Sequence, residues 1–217
     1  MKKKQQYPGH FRTTIEILFI ISIFILLVDV AKAQHHQLYY KMVKDGDSVG
    51  SLTVTDTRSD EERIISTRMN ASVPSLFFDI DVADSKKVIY HGQVLQSAFT
   101  SRNILNGRTK STTTQLHKGV YTDGQHPIQS LLHFPTVKFS MTMLYTSEPA
   151  GLKMIYSEFF RQMVPVEKAG EHIYNISLPD GQTGTYFYEK GMCIRIETTT
   201  PWAKVIAIMV NNSIVLK

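Results

Sequence analysis

The sequence predicts an all-β fold: a single strongly curved antiparallel meander, an open half-barrel or a barrel, with little helix after residue 33. Three observations predict it. Apolar residues recur with a period of two, turn-forming residues punctuate the chain throughout, and no stretch of residues 34–217 carries a capped apolar stripe of helical period. A period of two puts one face of a strand against a core and the other in water. Strands joined by short turns pair antiparallel, whereas a parallel sheet needs long crossovers, usually helical.

Residues 1–33 stand apart from this pattern. Lys2-Lys3-Lys4 precedes an apolar run, Ile17–Val28, and Ala31-Lys32-Ala33 follows it. A basic start, a short apolar core and small residues spaced A-x-A make a secretory signal peptide. The 12-residue run falls short of the about 20 apolar residues that a spanning helix needs. Cleavage is expected between Ala33 and Gln34, with Ala31 as the second small residue. Residues 34–217 are then a single β-rich domain without a transmembrane span, and the expected location is the periplasm or the cell exterior.

Strands are expected near residues 38–44, 49–57, 62–71, 76–82, 87–100, 109–115, 127–132, 138–146, 152–160, 172–178, 184–189, 192–198 and 204–210. Leu52 and Val54 alternate with Ser51, Thr53 and Thr55, and Tyr174, Ile176 and Leu178 alternate with Asn175 and Ser177. Met192, Ile194 and Ile196 alternate with Cys193, Arg195 and Glu197 in the same way. Val205–Val210 is apolar throughout, which predicts cover on both faces. Turns are expected at Asp45-Gly46-Asp47, Ala83–Lys86, Asn106–Arg108, Thr122–Gly124, Pro149–Gly151, Pro179–Gly181 and Lys190-Gly191. Gln129–Phe134, bracketed by Pro127 and Pro135, is the best place for a short turn of helix.

Composition narrows the partners. The chain has 24 basic and 19 acidic residues, but 5 and 2 of these fall in residues 1–33, so residues 34–217 carry a balance of only +2. No Lys/Arg cluster remains, and nucleic acid is not an expected partner. Cys193 is the one cysteine, so neither an intramolecular disulfide nor a cysteine metal site is available. No cofactor is expected.

Few residues carry a chemical signal. His35 and His36 follow the expected new N-terminus, where an amine and a third-position histidine can wrap Cu(II) or Ni(II) in a square plane. Cyclisation of Gln34 would remove that amine. The later histidines show no metal-ligand spacing, and no nucleophile elbow occurs. Arg195, two residues from Cys193, would share its face. Glu158 shares a face with Tyr156 on an otherwise apolar strand, so if it points inward it needs a partner such as Arg161 or a tyrosine hydroxyl. Tyr186 and Tyr188 share a face on the strand after Pro179–Gly181. With Tyr145, Tyr156 and Glu158 they are the candidate ligand contacts, because a tyrosine offers apolar area and a polar tip.

Met141–Tyr145, Glu148-Pro149, Tyr156-Ser157-Glu158, Pro179-Asp180-Gly181 and Tyr186–Gly191 together resemble a group of exported bacterial proteins known as a domain of unknown function. The opening hairpin, Tyr40–Leu52 with Gly46 and Gly50, is similar to the start of uncharacterised periplasmic proteins with a curved antiparallel sheet. The resemblance implies a fold and a compartment, and it carries no catalytic residue. The expectation is a non-enzymatic envelope protein that binds an apolar or amphipathic molecule in the concave face. One alternative is a structural or protein-interaction module whose interior is filled by its own Phe134-Pro135 or Val73–Phe78, with another envelope protein as partner. The other is a hydrolase using Glu158 and a histidine such as His172.

Overall fold

A computed structural model describes residues 34–74, 79–104, 107, 109–134, 136–199 and 203–216. Among them run thirteen strands: β1 (Gln34–Lys44), β2 (Asp47–Arg58), β3 (Glu62–Pro74), β4 (Asp79–His91), β5 (Val94–Ile104), β6 (Lys110–His117), β7 (Val120–Thr122), β8 (Met154–Ser157), β9 (Gln162–Gly170), β10 (Ile173–Ser177), β11 (Thr183–Glu189), β12 (Met192–Thr199) and β13 (Lys204–Leu216). They form one curved antiparallel sheet in the order β7-β6-β5-β4-β3-β2-β1-β13-β12-β11-β10-β9-β8. The sheet is open, with β7 and β8 at its edges. Its first and last strands pair in the middle, Gln34 opposite Leu216 and Val43 opposite Ile206. No helix among the described residues is long and apolar enough to cross a membrane.

The meander follows from its turns. Asp45 (φ 53°) and Gly46 (φ 96°) both take positive φ, the backbone of a two-residue hairpin whose twist matches its strands. Lys118-Gly119 and Lys190-Gly191 repeat the device. Gly50 serves a different need. The register slips between Met42 and Val43, and a Cβ on Gly50 would lie 2.3 Å from the Asn70 carbonyl oxygen.

A curved sheet leaves one apolar face to cover, and the chain covers it with its own middle. Residues 123–134 and 136–153 run from the β7 edge to the β8 edge, with short 3₁₀ turns at Gln129–Leu131 and Met141–Tyr145. Leu95 N–H donates to Val137 O and Tyr156 N–H donates to Phe139 O, both at 2.9 Å, so both halves of the sheet hold this plug. The Met141–Tyr145 turn packs against β3, β4, β8 and β12. Leu131, Val137 and Leu144 from the plug bury against inward-facing Leu38, Val54, Ile65, Val88 and Ile155. Each such side chain contributes about 1.5–3 kcal/mol by leaving water.

Several sequence expectations need correction. Ala83–Lys86 is not a turn but the middle of β4, which pairs with β3 from Pro74–Asp79 to Glu62–His91. The turn comes later, at Gly92-Gln93. Asp84 sits in a strand because Arg102 of β5 satisfies it. Residues 138–146 are extended and then 3₁₀, not a sheet strand. Inside the concave space every side is covered, so alternation there says nothing about pairing. Residues 127–132 take the short-turn alternative. Strands β7 and β9 escape the pattern, β7 because it has three residues and β9 because Pro165 interrupts its apolar run. Val205–Val210 is covered on one face only, with Ile208 43% and Val210 62% exposed. A bulge opposite Phe187 and Tyr188 breaks the alternation of β12, so Cys193 and Ile196 both point inward. The expected signal peptide, with Ala31 and Ala33, lies outside the described residues, as do Pro135, residues 75–78, and Asn106 and Arg108 of an expected turn.

Candidate functional site

The plug does not fill the concave face completely. At one end a cleft of about 220 Å³ remains, open on one side. Met42 and Leu52 come from the opening hairpin, Met69 from β3, Ile80 from β4, and Val205 and Ala207 from β13. Met141 and Tyr145 of the plug close its inner end. The wall is mostly apolar because inward-facing positions of these strands exist to be buried, and here nothing covers them.

Polar groups meet at one part of this wall. Arg102 Nε donates to Asp84 Oδ2 at 2.7 Å, and the Arg102 guanidinium lies 4.2 Å from the centre of the Phe159 ring. Lys86, two residues from Asp84 on β4, faces the same space. Tyr145 and Tyr186 line it too. Burial pushes both phenols well above the usual tyrosine range, and the Lys86 charge opposes part of the rise at Tyr186. The Tyr186 ring lies over Gly184, where an added Cβ would stand 2.9 Å from the ring. A larger residue at 184 would displace the phenol.

The five candidate contacts therefore divide. Tyr145 and Tyr186 line the cleft. Tyr188 reaches the plug instead, its hydroxyl donating to Leu144 O at 2.9 Å. Tyr156 is fully buried, with its hydroxyl 2.6 Å from Thr114 Oγ1. Glu158 is 1% exposed, and its Oε1 accepts from Thr142 N–H at 2.8 Å. The inward carboxylate thus meets a backbone amide of the plug, while Arg161 pairs with Asp123. His172 Nδ1 lies 3.1 Å from Glu148. Glu148 also accepts from Tyr174, whose pKa is pushed up to about 12 by burial and by that bond.

Other groups hold the plug or stay inert. Asp56 is buried on β2, and Arg58 and Arg63 each donate twice to its carboxylate. Arg63 also donates to Thr146 Oγ1 at 2.7 Å and Ser147 Oγ at 3.2 Å, which ties the plug to β3. Cys193 does not share a face with Arg195. The thiol is buried, which pushes its pKa up to about 12, while Arg195 lies over Phe187 on the outside. His35 and His36 lie within β1, paired to β2 and β13, so their backbone is committed to the sheet instead of a metal. Among the described residues no group of three or more His, Cys, Asp or Glu is placed to hold a metal.

The sequence reading missed Lys86, Asp84 and Arg102. Their signal was present, since Asp84 and Lys86 keep the inward phase of Val88 and Tyr90. Reading Ala83–Lys86 as a turn hid it.

The domain of unknown function DUF6134 matches residues 40–210. The chain belongs to that family. The match runs from β1 into β13 and includes every strand that lines the cleft, so the cleft lies within the DUF6134 domain. No curated protein matches the chain.

Proposed function

We propose that this DUF6134 domain is an exported, non-enzymatic binding protein that takes a small apolar or amphipathic molecule into the cleft at the end of its concave face. The cleft carries the reading. Apolar walls with a few convergent polar groups are the usual composition of a small-molecule site. Its volume, about 220 Å³, exceeds that of the roughly 150 Å³ apolar cavity that takes up benzene. It is below the about 300 Å³ at which pockets for drug-sized ligands begin. The ligand is therefore a single ring or a short alkyl chain, and a whole membrane lipid is too large. Export is supported by the basic and apolar order of residues 1–33.

Octan-1-ol is a suitable probe, titrated by calorimetry. Saturable binding is expected, and Val82→Trp, which places an indole at the rim of the cleft, should abolish it without loss of cooperative unfolding. Undetectable binding to the protein, or equal binding to the variant, refutes the reading. The N-terminal mass of protein recovered from the extracytoplasmic fraction should correspond to a chain starting at Gln34. A chain retaining residues 1–33 there refutes the cleavage.

One observation favours a second reading. The plug fills most of the concave face, as a structural or protein-interaction module would require. That reading predicts no octan-1-ol binding and a partner protein recovered by crosslinking in the native envelope.

A further inference from the structure

We propose that the molecule in the cleft is a monoanion, a carboxylate-headed alkyl or aryl acid, with its head group held by Lys86 and by the hydroxyls of Tyr145 and Tyr186. The inference rests on the cleft being a binding site and goes further by fixing the charge and class of the ligand.

Charge comes first. Among the described residues, the ionisable acidic and basic side chains lining the cleft are Asp84, Lys86 and Arg102. Asp84 and Arg102 neutralise each other at 2.7 Å. Lys86 has no ion-pair or hydrogen-bond partner among the described residues. The cleft therefore holds one uncompensated positive charge. A half-buried ammonium against an apolar wall attracts an anion more strongly than it would in bulk water, because the local dielectric is lower.

Hydrogen-bonding capacity points the same way. An ammonium has only donors, and a phenol is a good donor to an anion. The Tyr145 and Tyr186 hydroxyls also have no hydrogen-bond partner among the described residues. Burial keeps both protonated through the physiological range, so both have a proton to donate. Three donors thus line one cleft, and the Asp84 carboxylate beside them is taken up by Arg102. A carboxylate has two oxygens to receive them, and charge-assisted bonds of this kind are the strong ones. A phosphate monoester would bring close to two negative charges against one positive charge. The apolar remainder of the cleft, from Met42 to Val205, takes the tail.

Octanoate and octan-1-ol share an apolar tail and differ in the head group. In calorimetric titrations of the protein at pH 7, octanoate should bind about tenfold more tightly than octan-1-ol. Lys86→Met should remove this preference and leave octan-1-ol binding intact, which also shows that the variant is folded. Lys86→Arg should keep the preference. Tyr186→Phe should weaken octanoate several-fold and octan-1-ol little. Equal affinity of the protein for the two probes overturns the proposal while the apolar cleft stands as a site. Retention of the octanoate preference in Lys86→Met overturns it as well. If neither probe binds, the binding reading of the cleft falls, and the head-group assignment falls with it.

Discussion

Replacing Asp56 by Asn tests what ties the plug to the sheet. The Asp56 side chain is fully buried, and Arg63, with a side chain only 16% exposed, donates to it twice. Asparagine keeps the shape but loses the charge and one acceptor oxygen. Arg63 is then left in a mostly buried place without a counter-charge. Removing one partner of a buried pair costs about 3–5 kcal/mol. Arg58 is 44% exposed and can turn to water, and Arg63 keeps Thr146 and Ser147, so the lower figure of about 3 kcal/mol applies. In a domain of this size each kcal/mol moves the melting temperature about 2–4 °C, which gives a fall of about 6–12 °C. The effect depends on pH with a definite sign. Burial alone would raise the Asp56 pKa, but the hydrogen bonds and charges of Arg63 and Arg58 outweigh it and hold the pKa below the usual value. The stabilisation is therefore complete above about pH 4 and is lost as pH falls through the depressed folded-state value. Thermal unfolding followed by circular dichroism at pH 7, 5 and 3 should show a gap between wild type and variant that is constant from pH 7 to 5 and narrows at pH 3. A gap under about 1 kcal/mol at pH 7, or one that does not change with pH, would refute the reasoning.

Three other outcomes are expected. Tyr188→Phe leaves the buried Leu144 carbonyl without its donor and should cost about 1–3 kcal/mol. Hydrogen exchange should quicken at residues 140–146, and unchanged exchange there would show that the phenol does not hold the plug. Gly50→Ala forces a Cβ to within 2.3 Å of the Asn70 carbonyl, so β2 and β3 must part locally. A loss of about 1–3 kcal/mol in urea unfolding is expected, and a neutral result would show that the backbones separate freely. Cys193, buried with its pKa pushed up to about 12, should resist iodoacetamide at pH 8 in the native protein and react once urea unfolds it. Native-state labelling at the unfolded rate would place the thiol at the surface.

The sheet was legible where burial was one-sided. Leu52 and Val54 lie against the core while Thr53 and Thr55 face away, and Asp45-Gly46 and Lys190-Gly191 turn as their sequences demand. Legibility failed where tertiary contacts override local chemistry. Asp84 and Lys86 look like turn residues until Arg102 of the next strand is known to meet Asp84. Met141–Tyr145 looks like a strand because nothing local reveals that it lies inside the curve and lacks strand neighbours. The site was half legible for the same reason. Tyrosines on the inner face could be read from period two, but which reach the cleft and which hold the plug depends on where residues 123–134 and 136–153 cross. The sequence leaves open whether Glu158 points inward, and its partner is a backbone amide sixteen residues away that no side-chain pattern announces.

The pairing of β1 with β13 has a consequence for how the chain reaches its native state. Strands β1 to β7 need only their sequence neighbours, so that half can zip up as the chain emerges from a ribosome or a translocation pore. One side of β1 then waits as an unpaired edge until residues 204–216 appear. An open edge is a template for pairing with another molecule. The interval of greatest aggregation risk therefore lies between the emergence of β2 and that of β13, nearly the whole length of the domain. A chain truncated before residue 204 would carry that edge permanently.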